Sequence, residues 1–300
     1  MLGIDKVLWE GAELYQEASA KTEVITRYSH GTPNDWIERH LYQRSFLGIS
    51  LMLVVNFVLF GLPGIAVWGV QMIWIPFFAA GVINGLGHYW GYRNFSSPDA
   101  ATNILPWGIL IGGEELHNNH HAFPSSARLS AKWWEFDVGW LYIRLLSFLR
   151  LAVVRRVAVK PLLGSSKVVD METVKAVIGH RMHVLANYAR EVVRPVAIQE
   201  FCQREQPRRK LARQARRLLL ASDRLDATGK QHLQAILQQS QVLETVHQYR
   251  CRLQAIWERT ASSQEALLEA LQEWCHEAEA TGIQALEDFA RSLRGYRPAL

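Results

Sequence analysis

The chain has 300 residues, 49% of them hydrophobic, which is enough for one large folded body or two and excludes global disorder. Its three cysteines, Cys202, Cys251 and Cys275, lie far apart. That excludes a disulfide framework or a cysteine metal knuckle and makes a reducing compartment the default. A formal charge of +5 suits anionic headgroups as well as nucleic acid and excludes neither.

Residues 1–45 are amphipathic, and Met1-Leu2-Gly3-Ile4-Asp5-Lys6 lacks the pattern of a secretory signal. Gly31-Thr32-Pro33 reads as a turn, with Asn34 or Asp35 capping a helix from Trp36 to Arg44. Two uncharged apolar runs follow, Phe46 to Leu62 and Ile65 to Ile83, of about 17 and 19 residues, near the length that spans a hydrocarbon core. Leu62-Pro63-Gly64 permits only a tight reversal, so an antiparallel membrane hairpin is predicted. Arg39, Arg44 and Arg93 flank its open end and place that end in the cytoplasm. Gln71 needs an interhelical partner, with Asn56 one candidate, and Trp74 is expected in the core before a kink at Pro76.

Asn84 and His88 stand four apart where the second run ends. Thr102 to Gly113 is too short and too interrupted by Gly and Pro to span. It leads into Gly113-Glu114-Glu115-Leu116-His117-Asn118-Asn119-His120-His121. His117, His120 and His121 fall at i, i+3 and i+4, one face of a helical turn, where their imidazoles can converge on a metal ion. Spacing alone leaves zinc, iron, copper and nickel open. Val138 to Leu151 reads as an amphipathic helix lying on a bilayer, because Arg144 would sit mid-span if it crossed.

From about Asp170 the sequence turns polar and helical. Four helices are predicted, about 170–200, 207–223, 228–259 and 263–294, with a capping-box pattern at Ser262 and Glu265. Leu233, Ile236, Leu243, Val246 and Leu253, then Leu267, Leu271, Trp274 and Ala278, recur at helical spacing and call for helix-on-helix packing. Arg208, Arg209, Lys210, Arg213, Arg216 and Arg217 form a basic run that suits anionic lipid or an acidic carrier. No nucleic-acid recognition module is visible, so nucleic acid is not an expected partner.

The pattern Asn84-x-x-x-His88-x-x-Gly91-Tyr92-Arg93, followed by Gly113-Glu114-x-x-His117-Asn118-x-His120-His121-x-Phe123-Pro124, resembles the membrane fatty acid desaturases. The likeness is strongest to the Δ9 acyl-CoA and acyl-lipid type and runs from about Phe46 to Leu151. The resemblance implies an all-α fold: a membrane helical hairpin with cytoplasmic histidine-rich helices in residues 1–162, then a soluble helical extension in 163–300. It implies iron held by His88, His117, His120 and His121, with Asn84 acting through water and with Glu114 and Asn103 orienting the ligands. It also implies a fatty acyl-CoA or acyl-lipid substrate, O2, an electron-donor protein of ferredoxin, rubredoxin or cytochrome b5 type, and an integral place in the cytoplasmic membrane. The family's first two histidine boxes have no counterpart, since only His30 and His40 precede His88. The expectation is therefore half a di-iron site and no activity from this chain alone. Three readings compete: a non-catalytic anchored remnant or helical interaction protein, a related di-iron hydroxylase, and a mononuclear zinc site on the four histidines.

Overall fold

A computed structural model describes all residues except 1–3, 29–34, 160, 165–167, 204–207, 259–262 and 298–300. Among the described residues the fold is all-α. The only strands are two-residue pairs, Trp107–Gly108 parallel to Phe136–Asp137 and Leu162–Leu163 antiparallel to Tyr296–Arg297. Packing divides the chain into two compact units. The first comprises Met1–Tyr92, Ala101–His117 and Lys132–Leu141; the second comprises Arg93–Ala100, Asn118–Ala131 and Tyr142–Leu300.

In the first unit, α1 (Ile4–Ser19) and α2 (Thr22–Tyr28) precede a short π-helical turn, Glu38–Tyr42. Asp35 Oδ1 accepts from the Glu38 amide at 2.8 Å, so Asp35 makes the predicted cap; Asn34 and His30 lie outside the described residues. Then α3 (Ser45–Phe60) and α4 (Leu62–Ile75) fold back on one another across Gly61, whose φ of 65° only glycine adopts readily. The indole of Trp68 donates to the Ile49 carbonyl at 3.2 Å. Leu62–His88 is the one described helix long and apolar enough to cross a membrane by length and composition; Phe46–Phe60 is apolar but shorter. Val58 is 74% and Ile73 72% exposed, so these faces need an apolar neighbour.

Two details differ from expectation. Asn56 does not pair with Gln71: its amide donates to Met52 of its own helix at 2.9 Å, and Gln71 Oε1 is buried without a hydrogen-bond partner. Trp74 is 41% exposed, its ring tilted 30° against Phe78 with centroids 4.3 Å apart, and the chain widens at Pro76 into a π-helical segment, Pro76–Ile83. That segment packs closely on α1, where a Cβ on Gly81 would come 2.7 Å from the Leu8 carbonyl oxygen.

Among the described residues, eight α-helices run through the C-terminal part of the second unit: α7 (Met171–Gly179), α8 (Arg181–Tyr188), α9 (Arg194–Cys202), α10 (Arg209–Leu220), α11 (Ala227–Leu237), α12 (Gln241–Glu258), α13 (Gln264–Glu279) and α14 (Gln284–Arg294). They follow α5 (His117–Ala122) and α6 (Val138–Phe148). Three of the four predicted helices are thus broken. His180 interrupts the first, Ser240 turns its hydroxyl to the Leu243 amide to start α12, and Gly282 at φ 72° ends the stretch before α14. Ser263 caps α13, while Ser262 lies outside the described residues. Tyr188, Leu243, Val246, Leu253, Leu271, Trp274 and Phe289 fill one continuous core. Its polar atoms are paired: Tyr188 donates to the Val246 carbonyl at 2.7 Å and Trp274 to the Tyr249 carbonyl at 2.9 Å.

One charge is buried here. Arg250, 1% exposed, donates to Ser222 Oγ at 2.7 Å and to Asp223 Oδ2 at 3.1 Å. Burial alone would raise the Asp223 carboxyl; the charge and hydrogen bonds of Arg250 outweigh it and hold the pKa below the ordinary value. The sign follows directly. A depressed folded-state pKa means stability present above the unfolded-state pKa and lost as pH falls through the folded-state value. Asp223→Asn should cost about 2 kcal/mol, under the fully buried range because the carboxylate is part exposed. The stability it removes should already be missing from the wild type in acid, so melting curves of the two proteins should converge as pH falls through the carboxylate range.

Candidate metal centre

His88 closes a short 3₁₀ turn, Leu86–His88. The Thr102 amide donates to the Gly87 carbonyl at 2.6 Å, and the Thr102 hydroxyl lies 2.9 and 2.8 Å from the carbonyls of Gly87 and Trp90. Tyr92 and Asn103 exchange two backbone hydrogen bonds of 2.9 and 2.7 Å. Just before Tyr92, Gly91 sits at φ 144°, where a Cβ would lie 2.2 Å from the Asn103 carbonyl oxygen, so no other residue fits. The chain runs on from Asn103 to Ile104, whose amide donates to the Glu115 carbonyl at 2.8 Å just ahead of α5. This chain of bonds carries His88 to His117. Their Nε2 atoms are 3.0 Å apart, with the rings edge to face at 81°. Two nitrogens bound at about 2.0–2.1 Å to one ion, about 90° apart, have this spacing.

The helix that bears the other histidines is held by its asparagines. Asn118, fully buried, accepts from the amides of Asn94 and Phe95 at 2.9 Å each and donates to the Phe95 carbonyl at 3.0 Å. Asn119 Oδ1 accepts from the Asn94 side chain at 2.8 Å. Glu115 Oε1 accepts from the amides of Leu110 and Ile111 at 2.5 and 3.2 Å. Sequence reading gave these residues no role of their own; the signal available was a pair of amides set between histidines.

His121 Nδ1 lies 2.6 Å from Asp99 Oδ2. The carboxylate keeps the proton on Nδ1 and leaves Nε2 as the lone-pair donor, the arrangement that orients a metal-binding imidazole. Sequence reading missed Asp99, which lies in a loop with no pattern of its own. The loop is tied by Arg93, whose guanidinium donates to the carbonyls of Ser97 and Asp99 at 3.0 and 3.1 Å. Burial, then the charge of Arg224, brings Arg93 down to about 10. Nearby, burial and the carboxylate of Glu135, 2.8 Å from the hydroxyl, push the Tyr92 phenol up.

The other predicted residues fall as follows. His117 and His121 stand one turn apart on α5, and the His120 ring is 5.7 Å from that of His121. Glu114 Oε2 lies 3.8 Å from His117 Nδ1, beyond hydrogen-bond length. Asn103 is fully buried in the Tyr92 pairing. Asn84 is exposed, its amide turned back to the Ala79 carbonyl at 3.0 Å. His40, the remaining early histidine within the described residues, stacks on Trp36 at 4.9 Å.

Two family models match. Residues 12–159 match "Fatty acid desaturase", and residues 171–300 match "Transposase". An sn-1 stearoyl-lipid 9-desaturase of Anabaena variabilis is 34% identical over 130 residues, 43% of this chain and 47% of that protein. An acyl-CoA C20 Delta5-desaturase of Anemone leveillei is 37% identical over 120 residues, 39% of this chain and 36% of that protein. An sn-2 palmitoyl-lipid 9-desaturase of Nostoc sp. is 46% identical over 70 residues, 23% of this chain and 25% of that protein. The chain thus spans less than half the length of these curated relatives. No solved structure matches.

Asn118→Ala should cost about 3 kcal/mol, because it strands two amides and a carbonyl in a buried setting. Thermal unfolding would report the loss. Asp99→Ala should leave the melting temperature nearly unchanged and weaken metal binding by about 10- to 100-fold, as removal of an imidazole's orienting carboxylate does.

Proposed function

We propose, residues 12–159 being related to the fatty acid desaturases, that the chain carries the histidine-helix part of a membrane acyl desaturase, an O2-dependent oxidoreductase. The observation that supports this most directly is the meeting of the His88 and His117 ring nitrogens at 3.0 Å, on segments 29 residues apart. His121 stands one turn along α5 from His117. Iron fits the donor set, since imidazole suits it. The ligands are His88, His117, His120 and His121, with Asn84 reaching the metal through water and Glu114 and Asn103 in supporting positions. By ancestry the domains divide near residue 162, into a desaturase-type membrane part and a helical extension, 163–300.

When bound, iron supplies the redox chemistry that removes hydrogen from an unactivated methylene, which no protein acid or base can do. The protein's own groups do the rest. Asp99 holds a proton on His121 Nδ1 and so aims Nε2. The Tyr92–Asn103 pairing and the Asn118 clamp fix the two histidine segments. The relatives' names indicate acyl-lipid and acyl-CoA substrates, so a fatty acyl chain is the substrate class, with electrons from a small donor protein of ferredoxin, rubredoxin or cytochrome b5 type. The apolar hairpin lies in the cytoplasmic membrane, and the histidine part and the extension face the cytoplasm.

Four imidazoles are ligands enough for one ion, not two. These 300 residues alone therefore bind iron without forming a double bond. Residues 171–300 have a family match of their own, to "Transposase", and take no part in the iron chemistry in this reading. Among the described residues of that part no group of three His, Cys, Asp or Glu converges as a metal site.

Metal analysis of the full chain in detergent should find about one iron per chain, reduced at least tenfold in His117→Ala. Fatty acid analysis of cells expressing it should show no new unsaturated product. Stoichiometric zinc without iron would sink the iron reading, and an alcohol product would make the protein a hydroxylase.

A further inference from the structure

We propose that Arg224, in the part of the chain that matches a different family, is a positioning residue for the histidine helix. Its Nη1 donates to the Asp99 carbonyl oxygen at 3.0 Å. The side chain of the same Asp99 accepts from His121 Nδ1 at 2.6 Å. A guanidinium on the main chain of the residue that orients His121 fixes that residue's backbone, and with it the carboxylate's direction.

Arg224 is itself held firmly. It ends a 3₁₀ turn, Ser222–Arg224. The buried Arg250 grips that turn through Ser222 Oγ and Asp223 Oδ2. On its other side Asp226 caps α11 through the Gly229 amide at 2.7 Å. The turn therefore cannot drift without breaking a buried charge pair or a helix cap, each costly. A continuous polar path results: Arg250 to Asp223, the backbone to Arg224, the Asp99 carbonyl, the Asp99 carboxylate and His121.

A second contact joins the same two segments. His183 of α8 stacks on Phe123 with centroids 4.8 Å apart at 29°, and meets Phe95 edge-on at 5.3 Å. Phe123 directly follows α5, and Phe95 belongs to the loop that Asn118 clamps. The extension thus holds the loop at Asp99 by a hydrogen bond and the end of α5 by an aromatic stack. Arg93 donates to the same Asp99 carbonyl, so two guanidiniums share one acceptor. Losing Arg224 would leave the Asp99 carbonyl with its Arg93 donor.

The inference rests on the metal reading for its consequence but not for its geometry, and the test separates the two. In metal-free full-length protein in detergent, 15N NMR of the imidazoles should show His121 as the Nδ1–H tautomer. Arg224→Ala should broaden or shift that signal toward an averaged tautomer, and Arg224→Lys should largely restore it. Cobalt(II) titration followed by absorption should show about tenfold weaker binding for Arg224→Ala and within about threefold of wild type for Arg224→Lys. An unchanged His121 signal in Arg224→Ala overturns the proposal. His183→Ala loosens the same junction without touching Asp99. If it moves the His121 signal as much as Arg224→Ala does, the effect is general loosening and the assignment to Arg224 fails. If the wild type binds no cobalt while the NMR response to Arg224→Ala persists, the metal reading fails and the positioning role stands.

Discussion

A helix of six residues cannot hold itself together in water, because its nucleation cost is spread over too few backbone bonds. The histidine helix, His117–Ala122, is that short. Everything the candidate site does therefore depends on outside bonds that fix the helix. Asn118 supplies most of them, as a buried amide acting as both acceptor and donor toward residues 94 and 95. The histidines can then face a metal because the intervening residues, rather than the histidines, carry the structural burden.

Much of this was legible in the residues, for definable reasons. Helical spacing put His117, His120 and His121 on one turn, and the long apolar runs marked the hairpin. The likeness of the two histidine stretches to one family was specific enough to point to His88 as their companion, and the Nε2 contact accords with it. What stayed hidden depends on tertiary neighbours. Asp99 sits in a loop and becomes an imidazole partner only when the chain folds. The polar groups of the apolar hairpin chose differently from the simplest pairing, with Asn56 satisfied within its own helix. In the extension, hydrophobic period found the core stripes but not the breaks, since a stripe runs unchanged across Ser240. The transposase likeness of that region was missed because a basic, amphipathic helical sequence carries no short signature.

Two family likenesses meet in one folded unit. Residues 93–100 and 118–131 fall in the desaturase match, yet they belong to the same compact unit as the helices of 171–300. The contacts that join them are ordinary: an arginine on a carbonyl and a histidine stacked on a phenylalanine. Neither needs a shared history, only a carbonyl that accepts a second donor and an aromatic face in the same unit.

The π-helical segment at Pro76–Ile83 has a consequence for what this stretch tolerates. Such a segment amounts to an extra residue threaded into an α-helix, and removing one residue there would let the helix relax to its ordinary pitch. Side chains beyond it, His88 included, would then keep roughly their present phase, because the wide turn already absorbs the surplus residue. A second deletion would find no such slack: it would turn everything beyond it by about 100° around the helix axis and carry His88 away from His117, although no ligand had been altered. The wide turn is therefore one residue of slack stored ahead of His88.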